Sequence, residues 1–173
     1  MATEIKRADD GDAATVALLG RLTFAETFGH LFQDHRCDLR AYLDATFEVA
    51  KITDSLRKPE NLYWLAFARG LPVGYAKLKH PSPPLGQQAS DAAQLQKIYV
   101  LREFLGARIG DGLLAPLMEA AAARSSLVWL DVLRGNGRAV RFYERHGFGA
   151  VGDDTYTIGA QSFLFTLMAR PTR

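Results

Sequence analysis

The chain is poor in several things, and each shortage excludes something. It has one cysteine, Cys37, in 173 residues, which rules out an internal disulfide framework and suits a reducing compartment. It has no long apolar run. A typical stretch, Leu62-Tyr63-Trp64-Leu65-Ala66-Phe67-Ala68, is 7 residues, against about 20 for a membrane-spanning helix. The first residues, Met-Ala-Thr-Glu-Ile-Lys-Arg, lack an apolar signal region, so a cytoplasmic protein without a membrane segment is expected. Four histidines, His30, His35, His80 and His146, fall at no metal-ligand spacing, so no metal site is expected. A net charge of +2 is too small to indicate a nucleic-acid partner. Neither an internal repeat nor a linker is visible.

What remains is ordinary for one folded domain spanning residues 1–173, with 48% hydrophobic and 23% charged residues. The charge is unevenly placed. Residues 1–60 carry 8 Lys and Arg against 11 Asp and Glu, and residues 61–173 carry 13 against 8. Such asymmetry fits an anionic ligand meeting a cationic one, and it is also what an uneven solvated surface looks like.

Patterning predicts a strand over Thr3–Ala8, then a helix over Asp10–Phe28 with Val16, Leu19, Leu22 and Phe24 as its apolar stripe and Gly29 at its end. A second helix is expected over Asp38–Val49, and a short one ending near Leu56–Glu60. Leu62–Arg69 and Val73–Lys79 read as a hairpin around Gly70-Leu71-Pro72. His80–Ala92, with three prolines and Gly86, reads as a loop, and Gln94–Leu101 as the fourth strand. A helix over Asp111–Arg124 is expected to kink at Pro116. Leu127–Leu133 is nearly continuously apolar, as in a strand covered on both faces. Asn136 suits an N-cap, Gly147 an αL position after the next helix, and Thr155–Ile158 with Phe163–Arg170 a last hairpin about Gly159. Helices between and after strands give an α+β fold, a mixed sheet covered on both faces.

The stretch from Leu95 to Phe148 carries the most information. A strand is followed by Leu105-Gly106-Ala107-Arg108-Ile109-Gly110, a helix, a strand, and then Asn136-Gly137-Arg138-Ala139-Val140-Arg141-Phe142-Tyr143-Glu144-Arg145-His146-Gly147-Phe148. A glycine loop between strand and helix aims backbone N–H groups and a positive helix end at an anion. It is no Rossmann fingerprint: it lies late in the chain and lacks the Gly-x-Gly-x-x-Gly order. The stretch, most clearly over roughly residues 94–150, resembles the acyl-CoA-binding half of the GNAT superfamily of N-acetyltransferases. That resemblance implies a mostly antiparallel central sheet with helices on both faces.

It also implies an N-acetyltransferase using acetyl-CoA as co-substrate. The pantetheine arm would lie along the backbone of strand four near Ile98, Tyr99 and Val100, in the manner of an added strand. The pyrophosphate would meet the amides of Leu105, Gly106, Ala107, Arg108, Ile109 and Gly110. The family pattern is Arg/Gln-Gly-x-Gly-x-Gly/Ala; here Gly106 and Gly110 match while Leu105 and Arg108 depart. Leu105 still offers its amide. Arg108 is strained if its position needs φ > 0 and adds a cation if it does not. Asn136 matches a position that binds the pantetheine region. Tyr143 matches the usual general acid that protonates the leaving thiolate, although as a residue its plain role is a core aromatic, like Phe142.

The acceptor is less legible. An alkylamine with a pKa of about 10.4 is neutral in roughly one molecule per few thousand at pH 7, so a base or a water relay must take a proton. Phe24-Ala25-Glu26-Thr27-Phe28-Gly29-His30 is similar to a segment of polyamine-type members, which makes Glu26 a candidate at the acceptor and a small cationic amine a candidate substrate. Tyr99 and Asp131 are rivals for the base, and an Asp inside an apolar strand must find a partner. Two other readings stay open. One is acetylation of a protein or peptide amine, which needs a groove where His80–Ala92 lies. The other is a non-catalytic acyl-CoA sensor, consistent with the departures at Leu105 and Arg108. Members of this superfamily often form homodimers, so that too is open.

Overall fold

A computed structural model describes residues 3–84 and 91–173; the middle of the expected 80–92 loop therefore lies outside the described residues. Seven strands form one sheet in the order β1-β2-β3-β4-β5-β7-β6. The strands are β1 Thr3–Arg7, β2 Asn61–Ala68, β3 Leu71–Lys79, β4 Ala92–Val100, β5 Leu127–Leu133, β6 Gly149–Ile158 and β7 Gln161–Pro171. Only β4 and β5 pair in parallel. The fold is the expected α+β arrangement.

Five α-helices cover the sheet: α1 Ala13–Phe28, α2 Arg36–Thr46, α3 Val49–Arg57, α4 Ile109–Ala122 and α5 Gly137–Arg145. One apolar core, with Leu113, Leu117, Trp64, Leu78 and Leu130 at its centre, lies under α4 and α5. The other, with Val16, Leu19, Phe24, Phe32 and Tyr75, lies under α1 and α3. Alternation along β2 sends Trp64 to the first core and Tyr63 and Leu65 to the second.

Several boundaries differ from the sequence reading. The first helix begins with a 3₁₀ turn, Asp10–Asp12, closed by a reciprocal capping box between Asp9 and Asp12. Gly29 does not end it in αL geometry. It has φ −56° and opens another 3₁₀ turn, Gly29–Phe32. The second helix stops at Thr46, and α3 is a separate helix of 9 residues. The β2–β3 turn is Arg69-Gly70, both at positive φ (52° and 76°), as a two-residue type I′ hairpin requires. Pro116 sits inside α4 without ending it. β6 has 10 residues where the sequence pattern predicts Thr155–Ile158, because Gly149–Asp154 becomes a strand by pairing with β7.

Two features of β4 position the site. Its parallel pairing with β5 covers only Ala92↔Leu127, Ala93↔Val128 and Gln94↔Trp129; beyond Gln94 the strands part. Against β3, the register steps from Lys77↔Lys97 to Leu78↔Leu95, leaving Gln96 as an extra residue in a β-bulge. The bulge puts Leu95 and Ile98 in one core and turns Tyr99 toward the other.

Candidate active site

Where β4 and β5 part, a cleft of about 920 Å³ opens, lined by Ile98, Tyr99, Val100, Leu105, Gly106, Arg108, Ile109, Gly110, Asn136, Tyr143 and Glu26, among others. Sequence reading thus brought one neighbourhood together, and Ala107 sits in the same turn. The hydrogen bond from the Leu101 N–H to the Val73 carbonyl, 2.8 Å, fixes the alternation of the β3–β4 ladder. Tyr99, opposite Tyr75, turns its main chain toward β3. Ile98 and Val100 turn theirs away from β3, into the cleft, where β5 no longer pairs. Tyr99 is therefore corrected: it offers a ring rather than a backbone edge.

The glycine turn also needs correction. The Leu105 amide, expected to be free, donates to the Arg102 carbonyl at 3.1 Å, and Ala107 donates to Phe104 at 3.4 Å. The amides of Gly106, Arg108, Ile109 and Gly110 have no backbone partner among the described residues, as the first turn of a helix leaves them. Arg108 is the α4 N-cap at φ 57°, ψ 19°, in the left-handed region, and Gly106 has φ 89°. The position does need positive φ, so Arg108 carries backbone strain of order 1–3 kcal/mol. Gly110 is required for contact: a Cβ there would lie 3.2 Å from the Phe142 ring, so α4 and α5 meet closely at the turn. Leu105 is 42% exposed.

Asn136 caps α5, its Oδ1 accepting from the Ala139 N–H at 3.1 Å. Tyr143 is buried between Phe142 and Phe148, with ring centroids 5.3 and 5.8 Å away. Burial pushes its phenol well above the ordinary value of 10, and the hydroxyl has no hydrogen-bond partner among the described residues. Tyr99 is raised by burial first and by the neighbouring Tyr143 phenol second; the two hydroxyls face the same ground. Sequence reading missed the arginines. Arg138, Arg141 and Arg145 line the cleft with Arg102 and Arg108. The spacing of the first three, i, i+3, i+7 on one helix, was the signal.

Glu26 lines the cleft beside Arg102. Its Oε2 accepts from the Arg102 N–H at 2.9 Å, and the Arg102 guanidinium donates to its carbonyl at 2.6 Å. Asp131 has found its partner, the Gln94 side-chain amide, at 3.0 Å. Burial raises its pKa, opposed by the Gln94 bond. Asp131 lines both this cleft and a second cavity of about 440 Å³ on the α1 side of the sheet. Aromatic rings wall that second cavity, including Phe24, Phe28, Phe47, Tyr63, Tyr75 and Tyr99. Asp38 of α2 accepts from the Ala160 N–H at 3.1 Å, tying the helix to the tip of the β6–β7 hairpin over it.

Three lysines line this second cavity, Lys51, Lys77 and Lys97, and two of them have shifted pKa values. Burial lowers Lys77 to about 7, helped by Lys97, Lys79 and Lys58 and opposed by Glu60. Burial lowers Lys97 to about 8, opposed by Asp131. Both bind protons less readily folded than unfolded, so stability rises as pH climbs from about 7 toward 10.5. Lys77→Met is expected to raise Tm at pH 7 by a few degrees, roughly 2–4 °C per kcal/mol gained, with the gain fading by pH 10. Calorimetric melts at both pH values check this. No cluster of metal-binding side chains occurs among the described residues, and no described helix is long and apolar enough to cross a membrane. Cys37 is exposed and unpaired with any cysteine.

The model of the Acetyltransferase (GNAT) family matches residues 26–148, which takes in the cleft residues from Glu26 to Arg145. An uncharacterised N-acetyltransferase of Mycobacterium tuberculosis (strain H37Rv) is 31% identical over 123 residues, covering 70% of this chain and 74% of that protein. Among solved structures, the PaiA N-acetyltransferase of Thermoplasma acidophilum, in complex with coenzyme A, superposes with a TM-score of 0.78 at 19% identity over 99% of both chains. The ribosomal-protein-S18-alanine N-acetyltransferase of Escherichia coli superposes with a TM-score of 0.69 at 19% identity, covering 99% of this chain and 94% of that one. The fold is shared with both structures, and the family match spans the cleft: the chain belongs to the GNAT family of acetyltransferases.

Proposed function

We propose that this acetyltransferase moves an acetyl group from acetyl-CoA to the primary amine of a small acceptor held in the aromatic cavity. The observation that carries this is the open edge of β4. Ile98 and Val100 present main-chain groups into a cleft that ends at the free amides of the Gly106–Gly110 turn. The residues fit the co-substrate: an amide-bearing arm matches the strand edge, and a pyrophosphate matches the turn, the α4 N-terminus and the arginines. The thioester supplies the activated acetyl group. The Val100 region takes its carbonyl, Asn136 borders the arm, and Tyr143 gives a proton to the departing sulfur. With its pKa raised, Tyr143 stays protonated until the C–S bond breaks, so transfer accompanies cleavage.

Asp131 is the better-placed carboxylate for the acceptor ammonium, because it borders both cavities, whereas Glu26 borders one and already accepts from Arg102. Asp131→Asn is expected to lower kcat/KM by roughly tenfold or more, with the acid limb of the pH–rate profile moving. Glu26→Gln keeps the bond to Arg102 and changes KM by less. A larger effect at Glu26 restores the acceptor role suggested by its sequence segment. A polyamine acceptor is supported by that segment, by the rings and by Asp131 and Asp154. Lys51, Lys77 and Lys97 in the same cavity oppose a chain of several positive charges. Thiol release from acetyl-CoA against amines, diamines and peptides tests the assignment. Turnover of peptide N-termini alone would move it to protein acetylation, and no thiol release with any amine, despite acetyl-CoA binding, would leave an acyl-CoA sensor.

Arg108→Gly separates strain from binding. Relief of the positive φ is expected to raise Tm by about 2–4 °C. Loss of the guanidinium is expected to weaken acetyl-CoA by about tenfold or more, as for a hydrogen bond to a charged group. Affinity unchanged at low salt would mean that the amides alone hold the pyrophosphate. We also place the enzyme in the cytoplasm, supported by its single exposed thiol. A homodimer would use the exposed β6 edge, where Val151 and Tyr156 are 66% and 51% accessible; a monomer mass by light scattering overturns it.

A further inference from the structure

Lys77 and Lys97 sit directly opposite each other across the β3–β4 ladder, on the face that lines the aromatic cavity. Like charges at facing positions of an antiparallel pair repel, and here the repulsion acts in a half-buried setting. Among the described residues neither ammonium has a carboxylate within 4 Å; the ion pairs of this protein lie elsewhere. Each instead leans on a ring, Lys77 over Tyr63 at 5.3 Å and Lys97 over Phe47 at 5.9 Å. A ring attracts a cation only weakly and leaves its charge in place.

A third group points the same way. Tyr75 is 1% exposed and lies next to Lys77 in register terms, two residues before it on β3 and facing Tyr99. Its hydroxyl is buried and has no hydrogen-bond partner among the described residues, which is costly when nothing compensates. It lines the same cavity as both lysines. Two ammonium groups without an ion pair, Lys97 feeling Asp131 and Lys77 feeling Glu60 only from beyond 4 Å, and an orphaned hydroxyl on one wall are expensive for the empty fold. All three are donors, and an oxyanion with several lone pairs satisfies them together.

We infer that the wall formed by Lys77, Lys97 and Tyr75 is an anion subsite, and that the acceptor is an amine that also carries a carboxylate or a similar oxyanion. This rests on the acetyl-transfer reading for the amine and deepens it. Asp131 and Lys97 border both cavities and Lys77 borders only the aromatic one; Asp131 takes the ammonium end, and Lys77 with Lys97 takes the anionic end. The aromatic rings of the same cavity cover a short apolar body. The protein thus selects a zwitterion over a polycation, by placing charges of both signs in one cavity.

Calorimetric titration of the CoA-saturated protein tests this without needing turnover. The probes are matched pairs: 4-aminobutyrate against butylamine and butane-1,4-diamine, and phenylalanine against phenethylamine. The carboxylate member of at least one pair is expected to bind at least tenfold more tightly than its partners. Lys77→Met is expected to abolish that preference, and Tyr75→Phe to reduce it severalfold. A retained melting shift with CoA shows that each variant is folded. Tighter binding of the diamine, no preference in either pair, or a preference untouched by Lys77→Met overturns the subsite. Thiol release with the same probes is read separately: preferential carboxylate binding without release removes the acetyl-transfer reading and leaves the subsite standing.

Discussion

Tyr143→Phe is expected to lower kcat by roughly 10²-fold or more, the usual loss when a positioned acid is removed. The ring stays, so its packing on Phe142 and Phe148 survives, and the lost hydroxyl breaks no bond within the described protein. Affinity for acetyl-CoA and Tm should therefore hold while turnover falls, which separates chemistry from packing. Steady-state kinetics beside a melting curve reads both. Near-normal turnover would return Tyr143 to the core and hand sulfur protonation to water.

Acetyl-CoA at about a hundred times its dissociation constant is expected to stabilise the fold by roughly 2.7 kcal/mol, a rise in Tm of about 5–11 °C for a chain of this size. The same scan with NADH should show far less, because the cleft offers a strand edge for amides and no dinucleotide turn. The rise should shrink with added salt, since five arginines border the cleft and their attraction for phosphates is screened. No shift at millimolar acetyl-CoA would remove the reading of the cleft.

The fold was largely legible because each element is announced by local chemistry. Val16, Leu19 and Phe24 of the α1 stripe are buried as expected while Leu22 is 46% exposed; that stripe, the continuous apolar run of β5 and the Asn136 cap all act within a few residues of themselves. β6 was only half legible: Gly149–Asp154 has poor strand formers, and pairing with β7 overrides them. The site was legible as a neighbourhood and less so in its atoms. Gly106 and Gly110 marked the turn, but nothing local says that Arg108 would take the positive φ or that the Arg102 carbonyl would capture the Leu105 amide.

The bulge at Gln96 left a trace that sequence reading passed over. Strict alternation would put Leu95 on the face of Lys97 and Tyr99, yet Leu95 and Ile98 are the apolar pair, three positions apart. That break in period was the available signal. The Lys77–Lys97 pair left none, because it exists only once the register between two strands 20 residues apart is known.

The parting of β4 and β5 has a mechanical side. The sheet is two plates, β1–β4 and β5–β7, stitched along a seam of three residue pairs at one end. Past that seam nothing in the ladder ties one plate to the other, so their relative angle is set by helices on the faces and by whatever lies between. A ligand gripping Ile98 and Val100 on one plate and Asn136 on the other would lengthen the seam. It would then act as a splint as well as a reactant, and amide exchange should slow on both plates together.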